Sequence, residues 1–237
     1  MTIRRVLSSR WTKGGILLVL AWILVRVTLP DPLVPSAFAT AVYDREDRLL
    51  GARSGPDGQW RFPPGDSVPI RFMRAILEAE DQRFWWHPGV DPLAVIRSAK
   101  SNLRGGRRQG ASTLTMQLAR ISRRARGSDA HRSWWAKAVE VWLSLRVEAA
   151  WSKERILRAY CAHAPFGGNV VGLEAASWRW YGKRSQDLSW GEAALLAAIP
   201  NAPARLRPQG DTARLRARRD WILSRLQVAG DIDSMEA

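Results

Sequence analysis

The sequence predicts a mainly α-helical domain, preceded by a short β segment and by an apolar transmembrane helix at the N-terminus. Three observations carry this expectation. From Pro69 onward, apolar residues recur at i, i+3 and i+4 spacing. Between residues 40 and 62 the pattern shortens to brief β-favouring runs around polar turns. Gly14 to Val25 is almost wholly apolar and follows Arg4, Arg5, Arg10 and Lys13. The 237 residues fit one domain plus a terminal extension. We therefore expect a basic tail, anchor and linker over residues 1–39 and one folded domain over 40–237.

The apolar run from Gly14 to Val25 is shorter than the roughly 20 residues that span a bilayer, and Arg26 interrupts it. Two readings stand. It is an uncleaved anchor with its basic end cytoplasmic, or a signal peptide with Ala37-Phe38-Ala39 as its A-x-A cleavage site. Pro30, Pro32 and Pro35 separate that site from the apolar run, which favours the anchor. Both readings export the domain.

Ala41-Val42-Tyr43 and Leu49-Leu50 are expected as short strands around a turn at Asp44–Arg48, with a second turn at Gly55-Pro56-Asp57-Gly58. The first body helix is expected from Pro69 to Phe84, stopped by His87-Pro88-Gly89. Asp91 and Pro92 supply an N-cap and a first helical position for a helix reaching about Leu103. The run 104–109 (RGGRRQ) is a basic loop, either closing over a substrate or simply solvated. Gly110-Ala111-Ser112-Thr113 opens a further helix carrying Leu114, Leu118 and Ile121. Asp129 to Trp151 is the longest helical pattern. Ser152 caps a short helix ending near Pro165. Ser189 and Glu192 form a capping box for Trp190–Ile199. Thr212–Val228 is a basic helix, read as a solvated face.

The chain carries a formal net charge of +15, which calls for an anionic partner: nucleic acid, anionic lipid or a phosphorylated substrate. The single Cys161 excludes an internal disulfide and reads as a small core residue. No clustered His/Asp ligand set or zinc spacing is present, so no tightly bound metal is expected. Thirteen tryptophans include the adjacent pairs Trp85-Trp86 and Trp134-Trp135. At least one ring of each pair should leave the main core face; the rings either sit at the membrane–water interface or pack in the core or line a cleft.

Two carboxylates break apolar helical faces. The spacing of Met73, Ile76 and Leu77 places Glu80 where a hydrophobe belongs, and an unpaired buried carboxylate has a raised pKa. Glu140 lies in the row Arg132, Ala136, Glu140, Ser144, with Lys137 beside it. Ser112 and Thr113 at a helix start, with Arg120 two turns in, suit an anion. Each feature also has a structural explanation: a Glu80–Arg pair, a plain N-cap at Ser112-Thr113, and an intrahelical Lys137–Glu140 pair.

The motifs settle on one family. Glu80-Asp81-x-x-Phe84-x-x-His87-x-Gly89-x-Asp91 with Arg97 resembles the first signature of peptidoglycan glycosyltransferases, glycosyltransferase family 51. Gly110-Ala111-Ser112-Thr113-Leu114-Thr115-x-Gln117-Leu118 resembles the second, and Arg132, Lys137 and Glu140 match the third. Ser152-Lys153-Glu154-x-Ile156-Leu157-x-x-Tyr160, Ala164-Pro165-Phe166-Gly167-Gly168, Tyr181-Gly182-Lys183 and Glu192-Ala193-Ala194-Leu195-Leu196 continue it in order. The detail is most similar to the penicillin-binding protein 1C branch. Departures are Met116, Ala136, Val139 and Ala162.

The resemblance implies a lysozyme-like helical glycosyltransferase domain that polymerises lipid II into β-1,4-linked glycan with inversion and release of undecaprenyl pyrophosphate. It implies Glu80 as the base and Glu140 as a supporting catalytic group. Asp81, Arg97, Ser112, Thr113, Gln117, Arg120, Arg132 and Lys137 become substrate-binding residues. Implied partners are lipid II, the nascent glycan strand, membrane lipid and cell-wall synthesis proteins including a separate transpeptidase. No cofactor is tightly bound, and a magnesium or manganese ion could assist the pyrophosphate. The implied location is the bacterial inner membrane, single-pass, with the domain on the periplasmic side. Three rivals remain on sequence alone: an inactive scaffold of the wall-synthesis machinery, a lysozyme-like cleaving enzyme, and a nucleic-acid binder. Export and the lack of a recognition motif count against the last.

Overall fold

The computed structural model describes residues 28–103, 110–128, 133–206, 208 and 210–233. The apolar run from Gly14 to Val25, the basic loop 104–109 and Arg132 lie outside the described residues. Among those described, no helix is long and apolar enough to cross a membrane.

The β segment forms as expected. Strands β1 (Thr40–Tyr43) and β2 (Leu49–Arg53) pair antiparallel, Ala41 opposite Ala52. The linker ahead of them lies on the body: Leu33, Val34 and Ala39 are buried, and Ala39 N–H donates to the Arg61 carbonyl at 2.8 Å.

Among the described residues eight α-helices follow: α1 (Ile70–Glu80), α2 (Pro92–Leu103), α3 (Leu114–Ala125), α4 (Trp134–Ala150), α5 (Lys153–His163), α6 (Leu173–Tyr181), α7 (Trp190–Ala198) and α8 (Thr212–Ala229). Local chemistry explains most starts. Asp91 accepts from Ala94 N–H ahead of Pro92, Ser152 accepts from Arg155 N–H, and Ser189 with Glu192 makes the full capping box.

Helix α1 packs on α7 and α8, and α7 packs on α8. Helix α3 packs on α4 and α5. Both groups contribute to one core, in which Phe72, Ile76, Leu118, Tyr160, Phe166 and Leu196 are fully buried. Cys161 is buried there too, and burial pushes its thiol pKa up. Helix α2 makes few contacts with other elements and exposes Leu93, Val95 and Ile96.

Three expectations are corrected. Helix α1 ends at Glu80, not Phe84, because Asp81 leaves helical geometry (φ −158°, ψ 67°) and turns its carboxylate inward. The longest described helix is α8, with 18 residues against 17 in α4. Two basic residues of α8 are not merely solvated: Arg225 donates to Glu78 at 2.7 Å, and Arg218 to the Ala79 carbonyl at 3.0 Å, while Arg214 and Arg216 are exposed.

Candidate active site

Glu80 stands at the C-terminal end of α1, in the helical row of Phe72 and Ile76. Its side chain is only 6% exposed. Gln117 Nε2 donates to one carboxylate oxygen at 3.0 Å. Asn201 Nδ2 donates to the other at 3.0 Å and reaches the first at 3.3 Å. Arg218 lies 3.9 Å away, beyond hydrogen-bond reach. Burial pushes the Glu80 pKa up, against the pull of the two amides and of Arg218. The carboxylate is thus held by neutral donors in a poorly solvated place, which makes it more basic than a surface glutamate.

Gln117 is oriented in turn. Its amide oxygen accepts from the Tyr160 hydroxyl at 3.2 Å. Burial, and next the Glu80 charge, push that phenol well above its ordinary pKa, so Tyr160 remains a donor.

Arg120 follows Gln117 by three residues on α3, hence on the same face. It grips Glu140 of α4 with two bonds, 2.9 Å from Nε and 3.1 Å from a terminal nitrogen. Lys137 lies 3.6 Å from Glu140, and its Nζ donates to Ser112 Oγ at 2.7 Å. Glu140 is 6% exposed. A buried carboxylate with two cations around it is the expected way to hold a charge out of water. Ser112, Arg120, Lys137 and Glu140 therefore form one cluster, and Glu80 with Gln117 forms another beside it on α3.

Asp81 and Thr113 face inward. Asp81 accepts from Leu114 N–H at 2.9 Å and pairs with His87 Nε2 at 2.8 Å. His87 Nδ1 accepts from Gly89 N–H at 3.2 Å, which places the ring proton on Nε2, toward Asp81. Thr113 caps α3 through Met116 N–H and donates to the Gly89 carbonyl. Gly89 has φ 93°, and a Cβ there would meet the Ser144 carbonyl oxygen at 2.9 Å. The 81–91 turn thus sits directly on α4. Arg97 is exposed on α2 and joins neither carboxylate.

Sequence reasoning missed Asn201 and the part played by Arg218. Asn201 carries no local signal beyond following Pro200. Arg218 had one: it occupies the buried row Leu215–Arg218–Ile222 of α8, where a third apolar residue is expected.

Chemically, Gln117 of α3 holds a desolvated base from α1, and Arg120, one turn further on, joins Glu140 of α4, whose neighbour Lys137 bonds the Ser112 hydroxyl. Such a pair can deprotonate a hydroxyl and steady an anionic group. Among the described residues no group of three or more His, Cys, Asp or Glu converges, and N–H donors already meet both acids.

A family model described as Transglycosylase matches residues 46–227. The chain is similar to penicillin-binding protein 1C of Escherichia coli K12, 40% identical over 204 residues, covering 85% of this chain and 26% of that protein. It is similar to the biosynthetic peptidoglycan transglycosylase of Rhodospirillum centenum, 38% identical over 181 residues, covering 76% of each. Penicillin-binding protein 1A of Haemophilus influenzae aligns in three dimensions with a TM-score of 0.45 and 20% identity, over 86% of this chain and 20% of that one. The chain spans about a quarter of the penicillin-binding protein 1C that it matches.

Proposed function

Since the chain belongs to the transglycosylase family of peptidoglycan glycosyltransferases, we propose that it polymerises lipid II into β-1,4-linked glycan strands. The observation that carries this reading is the pairing on α3: Gln117 docks the buried Glu80 and Arg120, one turn on, docks Glu140.

The reaction joins the reducing end of the growing strand to the 4-hydroxyl of an incoming lipid II. Glu80 takes the hydroxyl proton as O4 attacks the anomeric carbon. The bond from that carbon to the phosphate oxygen breaks with inversion, and undecaprenyl pyrophosphate leaves with both bonding electrons. Lys137 and Arg120, joined in this reading by Arg132, offset the charge that develops on the pyrophosphate. Glu140 orients Arg120 and Lys137. Ser112 and Gln117 hydrogen-bond the sugar or phosphate. Arg97 meets substrate from α2. Asp81 and Thr113 contribute by holding the turn and α3 in place. No step needs a resident metal, and a divalent cation, if used, arrives with the pyrophosphate.

The finer architecture belongs to the same proposal: a lysozyme-like domain held at the inner membrane, on its periplasmic side, by residues 14–25. The exposed Trp86, Trp134, Trp135 and Trp142, with Leu93, Val95 and Ile96, support a face that rests in the headgroups where the lipid carrier lies. Other wall-synthesis proteins would take up the strand. The test is incubation of the detergent-solubilised protein with labelled lipid II, with and without moenomycin. A moenomycin-sensitive polymer ladder is expected. Cleavage products, or no polymer from folded protein, would overturn the reading.

A further inference from the structure

Helix α1 stops at Glu80, so the Ala79 carbonyl has no partner within the helix. Arg218 of α8, 139 residues away, donates to it at 3.0 Å. The same guanidinium lies 3.9 Å from Glu80 and 4.2 Å from the centroid of the Trp221 ring, one turn along α8. The arginine is therefore held on three sides. A cation at a helix C-terminus is favourable in itself, and a planar guanidinium meets a ring and a carbonyl together as an ammonium does not.

We propose that Arg218 is a positioning residue for the Glu80 carboxylate: it locks the end of α1 that carries Glu80 and sets a positive charge beside that carboxylate without bonding to it. The inference rests on Glu80 being the base. A base in a poorly solvated site has conflicting needs. It must be ionised to accept a proton, yet keep lone pairs to receive one. Among the described residues, Glu80's oxygens accept only amide N–H groups. Arg218 adds charge from 3.9 Å, too far to occupy a lone pair. Among the described residues, no other Lys or Arg nitrogen is within ion-pair distance of Glu80. Glu140 shows the contrast, since Arg120 occupies both of its oxygens.

The groups that bear on the Glu80 charge come from every side. Asp81 follows it in the chain and opposes its ionisation, Tyr160 faces it from α5, and Arg218 faces it from α8. Gln117 and Asn201 are neutral. Arg218 is thus the one group in this set whose charge favours the carboxylate, and its loss should move Glu80 toward the protonated form.

The test pairs Arg218→Gln with Arg218→Lys in the full chain. Glu80 is titrated by carboxyl-carbon NMR of glutamate-labelled protein, assigned with Glu80→Gln. The pH profile of kcat/KM on lipid II is measured beside it. In Arg218→Gln, the Glu80 titration and the acid limb of the profile should both move to higher pH. At a pH below the wild-type limb the rate should fall tenfold or more. Arg218→Lys should bring both back at least halfway, because it restores the charge. An unchanged Glu80 titration in folded Arg218→Gln, or equal profiles for Gln and Lys, would overturn the proposal. If Arg218→Gln does not fold, Arg218→Lys against wild type decides: a titration of Glu80 near the wild-type pH supports the charge role, and a large displacement contradicts it. The NMR arm needs no turnover. Failure of wild-type protein to polymerise would therefore count against Glu80 as base, while the titration still reports on Arg218.

Discussion

Asp81 and Leu114 are 33 residues apart, yet the Asp81 carboxylate accepts the first N–H of α3 at 2.9 Å. This bond ties the end of α1, where Glu80 stands, to the helix that carries Gln117 and Arg120. It also ends α1, because the residue that makes it must leave the helix. Asp81→Asn presents an amide NH2 to one of two donors, Leu114 N–H or His87 Nε2–H. It should cost about 3 kcal/mol and lower Tm by several degrees. Thermal denaturation checks this, and a Tm within one degree of wild type would mean that the turn is held by other contacts.

Glu80 should cost stability at neutral pH. Its folded pKa is raised, chiefly by burial, so across the window from the unfolded value up to the folded one the native state binds more protons than the unfolded state. Stability therefore falls as pH rises through that window. Glu80→Gln removes the charge and keeps the shape. It should be more stable than wild type at pH 8, by about 1 kcal/mol, with the gap closing at pH 4. Chemical denaturation at the two pH values measures it. A gap that widens on acidification would reverse the sign of the argument.

Glu140 is the hub of its cluster, bonded twice by Arg120 and flanked by Lys137. Glu140→Gln should leave the fold intact and lower lipid II polymerisation severely, by roughly a hundredfold, without abolishing it. Activity within twofold of wild type would reduce Glu140 to a structural residue.

The exposed tryptophans give a prediction independent of turnover. Trp134 is 94% exposed and Trp86 87%. Brominated lipids in anionic vesicles should quench a clear share of the tryptophan emission, and replacing Trp134 and Trp135 by Ser should reduce that share. Absence of quenching would separate these rings from the membrane.

Much of this was legible in the sequence because it is local. Asp91 before Pro92, and Ser189 three residues before Glu192, announce helix starts through bonds that span a single turn. Glu80 was legible because a carboxylate in an apolar row is conspicuous. What could not be read is decided between distant segments. The end of α1 depends on Leu114, and the polar neighbours of Glu80 come from Gln117, Asn201 and Arg218. Arg218 and Arg225 of α8 depart from the solvated reading because composition alone does not tell which side of a basic helix packs on the body. The placement of Arg218 between Leu215 and Ile222 carried the opposite message.

The central claim is that Glu80 is the base, and the most direct measurement is lipid II polymerisation by Glu80→Gln beside wild-type protein, with folding of the variant verified by circular dichroism. Polymerisation should fall by at least a thousandfold in a variant that remains folded. Wild-type-like turnover by that variant would contradict it and move the base elsewhere.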